Sequence, residues 1–294
     1  MKRNAIIRII LWSLAIVVLV GILGSFLSYR TLRDWRREEA PAETHVPQRI
    51  DEGHLTEAKD TYYADDIREL EIEWVAGEIL IQSGDTEQIS VKEDGGFDPK
   101  YAMYLRQSGN TLKIQFCEES VAEYFGIHTR SDVTKDLTIT VPQNWELDSL
   151  EIDCASATVE VNDMTIREVD FDGASGTCEF ENCTVEDMDI DTASGDIRFI
   201  GNLNMLDCDA ASASVYAALS NTPTRLDMDS MSGDLEVILP GDAGFTLAMD
   251  TMSGEFETEF ETTMRNGNYV CGDGRCRINV SALSGDVLIR KNEA

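Results

Sequence analysis

One short phrase recurs through the second half of this chain. It reads "LEIDCASATVEV" at 150, "VDFDGASGTCEF" at 169, "MDIDTASGDIRF" at 188 and "LDCDAASASVYA" at 206. It continues as "LDMDSMSGDLEV" at 226, "LAMDTMSGEFET" at 247 and "INVSALSGDVLI" at 278. The serines that anchor it are Ser156, Ser175, Ser194, Ser212, Ser232, Ser253 and Ser284, at steps of 19, 19, 18, 20, 21 and 31. A near-fixed period of this size is the mark of a solenoid, in which each unit buries its apolar face only by stacking on the next.

Each unit has two runs of period-two alternation. In 188–199, Met188 and Ile190 share one face, as do Ile197 and Phe199, with Asp189, Asp191 and Arg198 opposite. That spacing predicts two strands with one buried face each. Between them Ser194 and Gly195 stand where a tight reversal is expected, as do Ser175–Gly176, Ser232–Gly233, Ser253–Gly254 and Ser284–Gly285. Ala157 and Ala213 take the glycine's place after Ser156 and Ser212. Either those turns differ locally, or the glycine serves close packing rather than its dihedral. The fold class expected is all-β, a parallel β-helix-like solenoid with coils of about 19 residues.

Upstream, "LEIEWVAGEILIQ", "ISVKED", "YLRQSGNTLKIQF" and "DLTITVP" alternate as strands, and Ser108-Gly109-Asn110 predicts a hairpin turn. The stretch 118–132 breaks the alternation and is expected to be a loop or one short helix. Residues 65–149 are therefore read as a β-strand region capping the repeats of 150–291. Before them, 21 uncharged and mostly apolar residues lie between Arg8 and Arg30. At about 1.5 Å per residue they would span a bilayer core of roughly 30 Å, so 9–29 is read as a transmembrane helix rather than a cleaved signal. Residues 1–8 would form a cytoplasmic tail and 30–64 a juxtamembrane helix and linker. Basic residues flank the span on both sides and do not set its orientation. The short tail and acidic bulk favour a single-pass protein of the cell membrane with most of the chain extracytoplasmic.

The chain carries 24 basic and 55 acidic side chains, a formal net charge of −31. Residues 1–39 hold seven of the basic and three of the acidic ones, so the rest is still more anionic. Such a surface repels nucleic acid and anionic headgroups. The acids are patterned: stacking the phrases would align Asp153, Asp172, Asp191, Asp209, Asp229 and Asp250 in one column, with a second beside it. Neighbours at about 4.8 Å repel by roughly 0.9 kcal/mol even at the dielectric of water. Two readings follow. Calcium could sit between the carboxylates, making a cation-dependent binding module. Or the columns are a solvated face that keeps the solenoid soluble and blocks edge association; the absence of glycine-rich calcium turns favours this one.

A polysaccharide-acting enzyme is the rival from another class, since paired carboxylates can act as acid and base. Here, however, the aspartates are the repeat pattern and mark no single coil, and Arg167, Arg198 and Arg225 do not recur at one register. No nucleophile, zinc-protease or phosphate-loop motif is present. The turn serines have no histidine within the repeats to activate them, and His45, His54 and His128 have no metal-binding spacing. No catalytic residue and no cofactor are expected. Cys154, Cys178 and Cys208 read as buried thiols. Cys271 and Cys276 flank Gly-Asp-Gly-Arg, which reads as a hairpin suited to a disulfide in an extracytoplasmic domain.

The S-G-D/E corner between alternating strands, with "LEIEWVAGEILIQ" and "DLTITVP" leading into "LEIDCASATVEV", resembles a bacterial putative-adhesin family of β-strand-repeat domains without assigned function. The resemblance covers about 65–291. It implies a parallel β-helix-like solenoid at the cell envelope, often beside a single membrane helix. Adhesion, envelope scaffolding or a stress-linked role would follow, with an envelope polymer or surface protein as partner. The family supplies no site residues to carry over.

Overall fold

A computed structural model describes residues 59–96, 101–117 and 134–292. The span expected at 9–29, the tail before it, the stretch 118–132 and all three histidines lie outside these. Among the described residues no helix is long and apolar enough to cross a membrane. The described chain falls into two compact units, one ending at Val185 and one beginning at Glu186.

The first unit contains β1 (Lys59–Tyr63), a 3-10 turn (Ala64–Asp66), β2 (Glu69–Gly84), β3 (Gln88–Asp94), β4 (Tyr104–Ser108), β5 (Thr111–Gln115), β6 (Asp136–Pro142) and β7 (Glu146–Asn162). It ends within β8 (Thr165–Leu219), which continues into the second unit. Strand β2 pairs in parallel with β7 along both of its halves, Leu70 opposite Leu150 and Ile79 opposite Val159. Strand β7 pairs in the same way with β8, Ile152 opposite Phe171 and Val159 opposite Cys178. Coils therefore begin at Glu69, well before the first spelled phrase at 150.

The linker expected up to residue 64 is also shorter than its polarity suggested. Strand β1 pairs antiparallel with β3, and Tyr62 is buried. The hairpin at Ser108-Gly109-Asn110 is present: β4 and β5 are antiparallel and Gly109 has φ +63°.

The second unit holds the remainder of β8, then β9 (Arg225–Ser232), β10 (Leu235–Pro240), β11 (Phe245–Ser253), β12 (Phe256–Thr258), β13 (Thr263–Arg265), β14 (Asn268–Cys271), β15 (Cys276–Ser284) and β16 (Val287–Asn292). Its rungs are parallel, and they do not stack in chain order. Leu226 lies between Leu206 and Ile278, and Ile278 lies between Leu226 and Leu247. The second halves repeat this order: Val215, Leu235, Val287, Phe256. The last coil is thus intercalated between the two before it.

The first unit does the same in mirror sense. Strand β2 lies between β7 and the pair β5 and β6, which come later in the chain than β2. In the first unit antiparallel strands cover the outermost parallel ones, β3 on β6 and β4 on β5; in the second, β14 covers the first half-coil strand β11 and β13 pairs with β14. An open parallel edge is a template for unwanted pairing, and these antiparallel strands occupy the edges of β5, β6 and β11.

Within a coil the two halves do not pair with each other; each pairs with its counterpart in the next coil. The buried positions change parity across the join, from Met188, Ile190 and Thr192 to Ile197 and Phe199. The expected reversal is therefore a corner, and in β2, β7 and β8 the ladder runs straight through it, as with Ser156 opposite Ser175 and Ala157 opposite Gly176.

The alanine corners can now be resolved. Gly176 (φ +146°) and Gly233 (φ +147°) take a backbone conformation closed to other residues, and a Cβ there would lie 2.0 and 1.7 Å from the carbonyl oxygens of Ala157 and Ala213. Ala157 and Ala213 themselves have negative φ. So those two corners do differ locally, and the carbonyl of each fills the space that a Cβ on the stacked glycine would need.

Candidate functional site: the carboxylate columns

The residues between the core positions of the first half-coils come into register as carboxylates, Glu71 buried and the others half-exposed or exposed. In the first unit one column is Glu71, Glu151, Asp170 and the next is Glu73, Asp153, Asp172. Strand β5 lays donors against the outer end of both. Lys113 Nζ lies 2.6 Å from Glu71 Oε1 and 2.5 Å from Glu73 Oε1, and Gln115 donates to Glu73 at 2.8 Å. Thr111 Oγ1 donates to Glu69 at 2.6 Å. Burial pulls the Lys113 pKa down, but the two carboxylates outweigh it and hold the ammonium above the usual lysine value. Farther from that cation, burial together with Glu151, Asp172 and Glu73 pushes Asp153 up to about 8. Burial first, and the neighbouring carboxylates of its column second, keep this carboxyl largely protonated at neutral pH.

In the second unit Asp207 lies opposite Asp227, and Asp209 opposite Asp229. Arg225 bridges Asp207 (3.3 Å) and Asp227 (3.2 Å). Burial, then Asp191, Asp229, Asp207 and Asp189, pushes Asp209 up to about 6. Intercalation breaks the columns here. Asn279 and Ser281 follow Asp227 and Asp229, so Asp250 neighbours Ser281 and not another aspartate. Asn279 Nδ2 donates to Asp227 Oδ1 at 2.6 Å. The unbroken run of six aspartates expected from the phrase order is therefore corrected. Among the described residues no three aspartate, glutamate, histidine or cysteine side chains converge as a metal ion would require.

The corner serines form their own ladder, Ser212, Ser232, Ser284, Ser253, with Ser232 Oγ donating to Ser212 Oγ at 3.2 Å. Ser194 is exposed within β8. Sequence reasoning gave the acid after Ser-Gly no role, and it has one. Asp234 Oδ1 accepts the Asp286 N–H and Asp286 Oδ1 accepts the Glu255 N–H, both at 2.8 Å. Asp136 accepts from Glu78 N–H at 2.9 Å. These carboxylates clamp one coil to the next and follow the intercalated order.

Cys271 and Cys276 are free thiols, and the expected disulfide is corrected. Both lie opposite Phe245, one from β14 and one from β15, on opposite sides of β11. Two strand spacings, about 9.6 Å, separate their backbones, beyond the roughly 7 Å a disulfide can bridge. Cys154, Cys178 and Cys208 are buried as expected, and burial pushes Cys154 and Cys208 up to about 12.

A buried ion pair escaped the sequence reading. Lys135 and Glu93 have wholly buried side chains, 2.7 Å apart. Lys135 also donates to the carbonyls of Tyr101 (2.7 Å) and Phe116, and lies over the rings of Phe116 and Trp74. The Met103 N–H donates to the Glu93 carboxylate, and Trp74 Nε1 to the Lys135 carbonyl at 2.9 Å. Parity was the available signal: Glu93 continues Ile89 and Val91, and Lys135 precedes Leu137 and Ile139.

The family described as Toastrack DUF4097 matches over 67–202 and again over 143–290. The chain belongs to the Toastrack DUF4097 family. Its two overlapping matches fall on the same coils that the register defines. Among solved structures, the chain is similar to a putative cell adhesion protein from Clostridium sporogenes, at 9% identity and TM-score 0.40, covering 81% of this chain and 100% of that one. It is similar to a putative adhesin from Bacteroides fragilis at 12% identity and TM-score 0.39, covering 80% and 97%. A putative lipid binding protein from Parabacteroides distasonis is similar at 14% identity and TM-score 0.29, covering 84% and 100%. No curated protein matches the chain.

Proposed function

We propose that this Toastrack protein is a non-enzymatic contact scaffold of the cell envelope, anchored by 9–29 with its coils outside the membrane, and that it adheres through its carboxylate columns. The observation that carries this reading is the register of half-exposed acids on successive coils, Glu151 opposite Asp170 and Asp209 opposite Asp229. Like groups held at one repeat distance on a rigid sheet suit a repeating cationic or hydroxylated surface, such as an envelope polymer or surface protein, better than a small substrate. Paired acids recur in five of the seven phrases and single out no one coil, which supports contact rather than catalysis.

Two measurements test this. Protease applied to intact cells should remove the coils and leave the anchor; full protection would refute the orientation. Cells carrying Glu151→Gln and Asp170→Asn should lose adherence to purified envelope polymer with the protein still at the surface. Unchanged adherence would refute the role of the columns.

A further inference from the structure

The intercalated coil is held in its slot by two ladders, and the segment 272–275 ties it to the preceding strand. On one side β15 and β16 pair with β9 and β10, on the other with β11 and β12. Remove it, and two parallel edges face one another across a gap one strand wide. Its chemistry matches that gap. The chain as a whole has 55 acidic and 24 basic residues, yet 276–292 contains Arg277, Arg290 and Lys291 against the single acid Asp286. Where five of the other phrases carry paired acids it carries Asn279 and Ser281, and Asn279 donates to Asp227. Arg290 lies 3.3 Å from Glu236, and the backbone N–H of Lys291 donates to the Glu259 carboxylate at 2.9 Å. An acidic coil in the same slot would set like charges against Asp227 and Asp229.

We propose that this slot also accepts the terminal coil of a second copy of the chain, so that Cys276–Asn292 exchanges between molecules. Every ladder and side-chain contact just described is made to residues far away in sequence, so a second copy reproduces all of them. Only the connection 272–275 differs between the closed and exchanged forms. That connection is tightly built, because it must climb over the start of β11. The Cys276 N–H donates to the Gly244 carbonyl at 3.0 Å, and Gly272 and Gly274 have φ of +56° and +67°. A Cβ on Gly244 would lie 2.1 Å from Asp273 Oδ1. Short, crowded connections of this kind favour exchange once the coil has been released. The proposal goes beyond the adhesive role and does not depend on it.

The test uses two full-length copies in detergent, one carrying Asp229→Cys and the other Ser281→Cys. These positions are paired on adjacent parallel strands, about 4.8 Å apart and within disulfide reach. Refolded together, the copies should give a disulfide-linked heterodimer; refolded separately and then mixed, they should not. Deleting Asp273 and Gly274 shortens the climb over β11 and should raise the heterodimer yield several-fold. A single chain carrying both cysteines should close its own disulfide, which verifies the register independently. Monomer alone after joint refolding, with and without the deletion, while that single chain still closes its disulfide, overturns the proposal.

Discussion

The stacking order can be measured through energetic coupling. Leu226, Ile278 and Leu247 are successive rungs of one buried column, each no more than 1% exposed. Truncating any of them to Ala should cost about 2–5 kcal/mol, the range for a large apolar side chain in a packed core. The informative quantity is how the losses combine. Leu226 and Ile278 are neighbours, as are Ile278 and Leu247, so each such double variant merges two cavities and should depart from additivity by about 0.5–3 kcal/mol. Leu226 and Leu247 stand two strand spacings apart, about 9.6 Å, with Ile278 between them, so their losses should add to within about 0.5 kcal/mol. Stacking in chain order would make Leu226 and Leu247 the coupled pair instead. Urea unfolding followed by far-UV circular dichroism, in sulfate to keep the doubles folded, gives all three cycles. Strong coupling of Leu226 with Leu247, with Ile278 additive to Leu226, would refute intercalation.

Other outcomes follow from the same geometry. Glu93→Gln or Lys135→Met alone should destabilise by about 3–5 kcal/mol, because each strands a buried partner. Glu93→Leu with Lys135→Met should cost clearly less than the sum of the two, the remainder coming from the hydrogen bonds lost by the Met103 N–H and by the Tyr101 and Phe116 carbonyls; chemical denaturation compares them. Asp153 and Asp209 are raised to about 8 and about 6, so the folded state holds protons that the unfolded chain releases near pH 4. Their contribution to stability is full below about pH 4 and is lost as pH rises through about 6 and then about 8, so Tm should fall across that window and Asp153→Asn should flatten its upper part. Gly233→Ala should cost at least about 1–3 kcal/mol in urea midpoint shifts, while Ala157→Gly should cost only about 0.4–1 kcal/mol. Intact mass should be the same with and without reductant, since Cys271 and Cys276 are separated by β11.

Much of the coil was legible in the letters because side-chain period and burial are locally linked. The alternation in 188–199 marked Met188, Ile190, Ile197 and Phe199 as core, and all four are buried. The outward aspartates were placed correctly within each coil by the same logic. The Lys135–Glu93 pair was visible only to a reading that trusted parity over residue type. Charged letters argue for the surface, and burying two of them succeeds only because Tyr101, Phe116, Trp74 and Met103 converge from other elements.

By itself, then, the sequence determined the repeat, the parallel coils, the corner and the acid-rich outer face, all consequences of a two-residue period interrupted at Ser-Gly. Which coil touches which was decided only by the tertiary structure. Near-identical phrases present near-identical edges, so chain order carries almost no information about stacking order. That choice rests on differences confined to a few positions: the clamps from Asp234 to Asp286 and from Asp286 to Glu255, and Asn279 and Ser281 set beside Asp227 and Asp229. The separation of Cys271 from Cys276 follows from the same choice, because the strand that parts them comes from earlier in the chain.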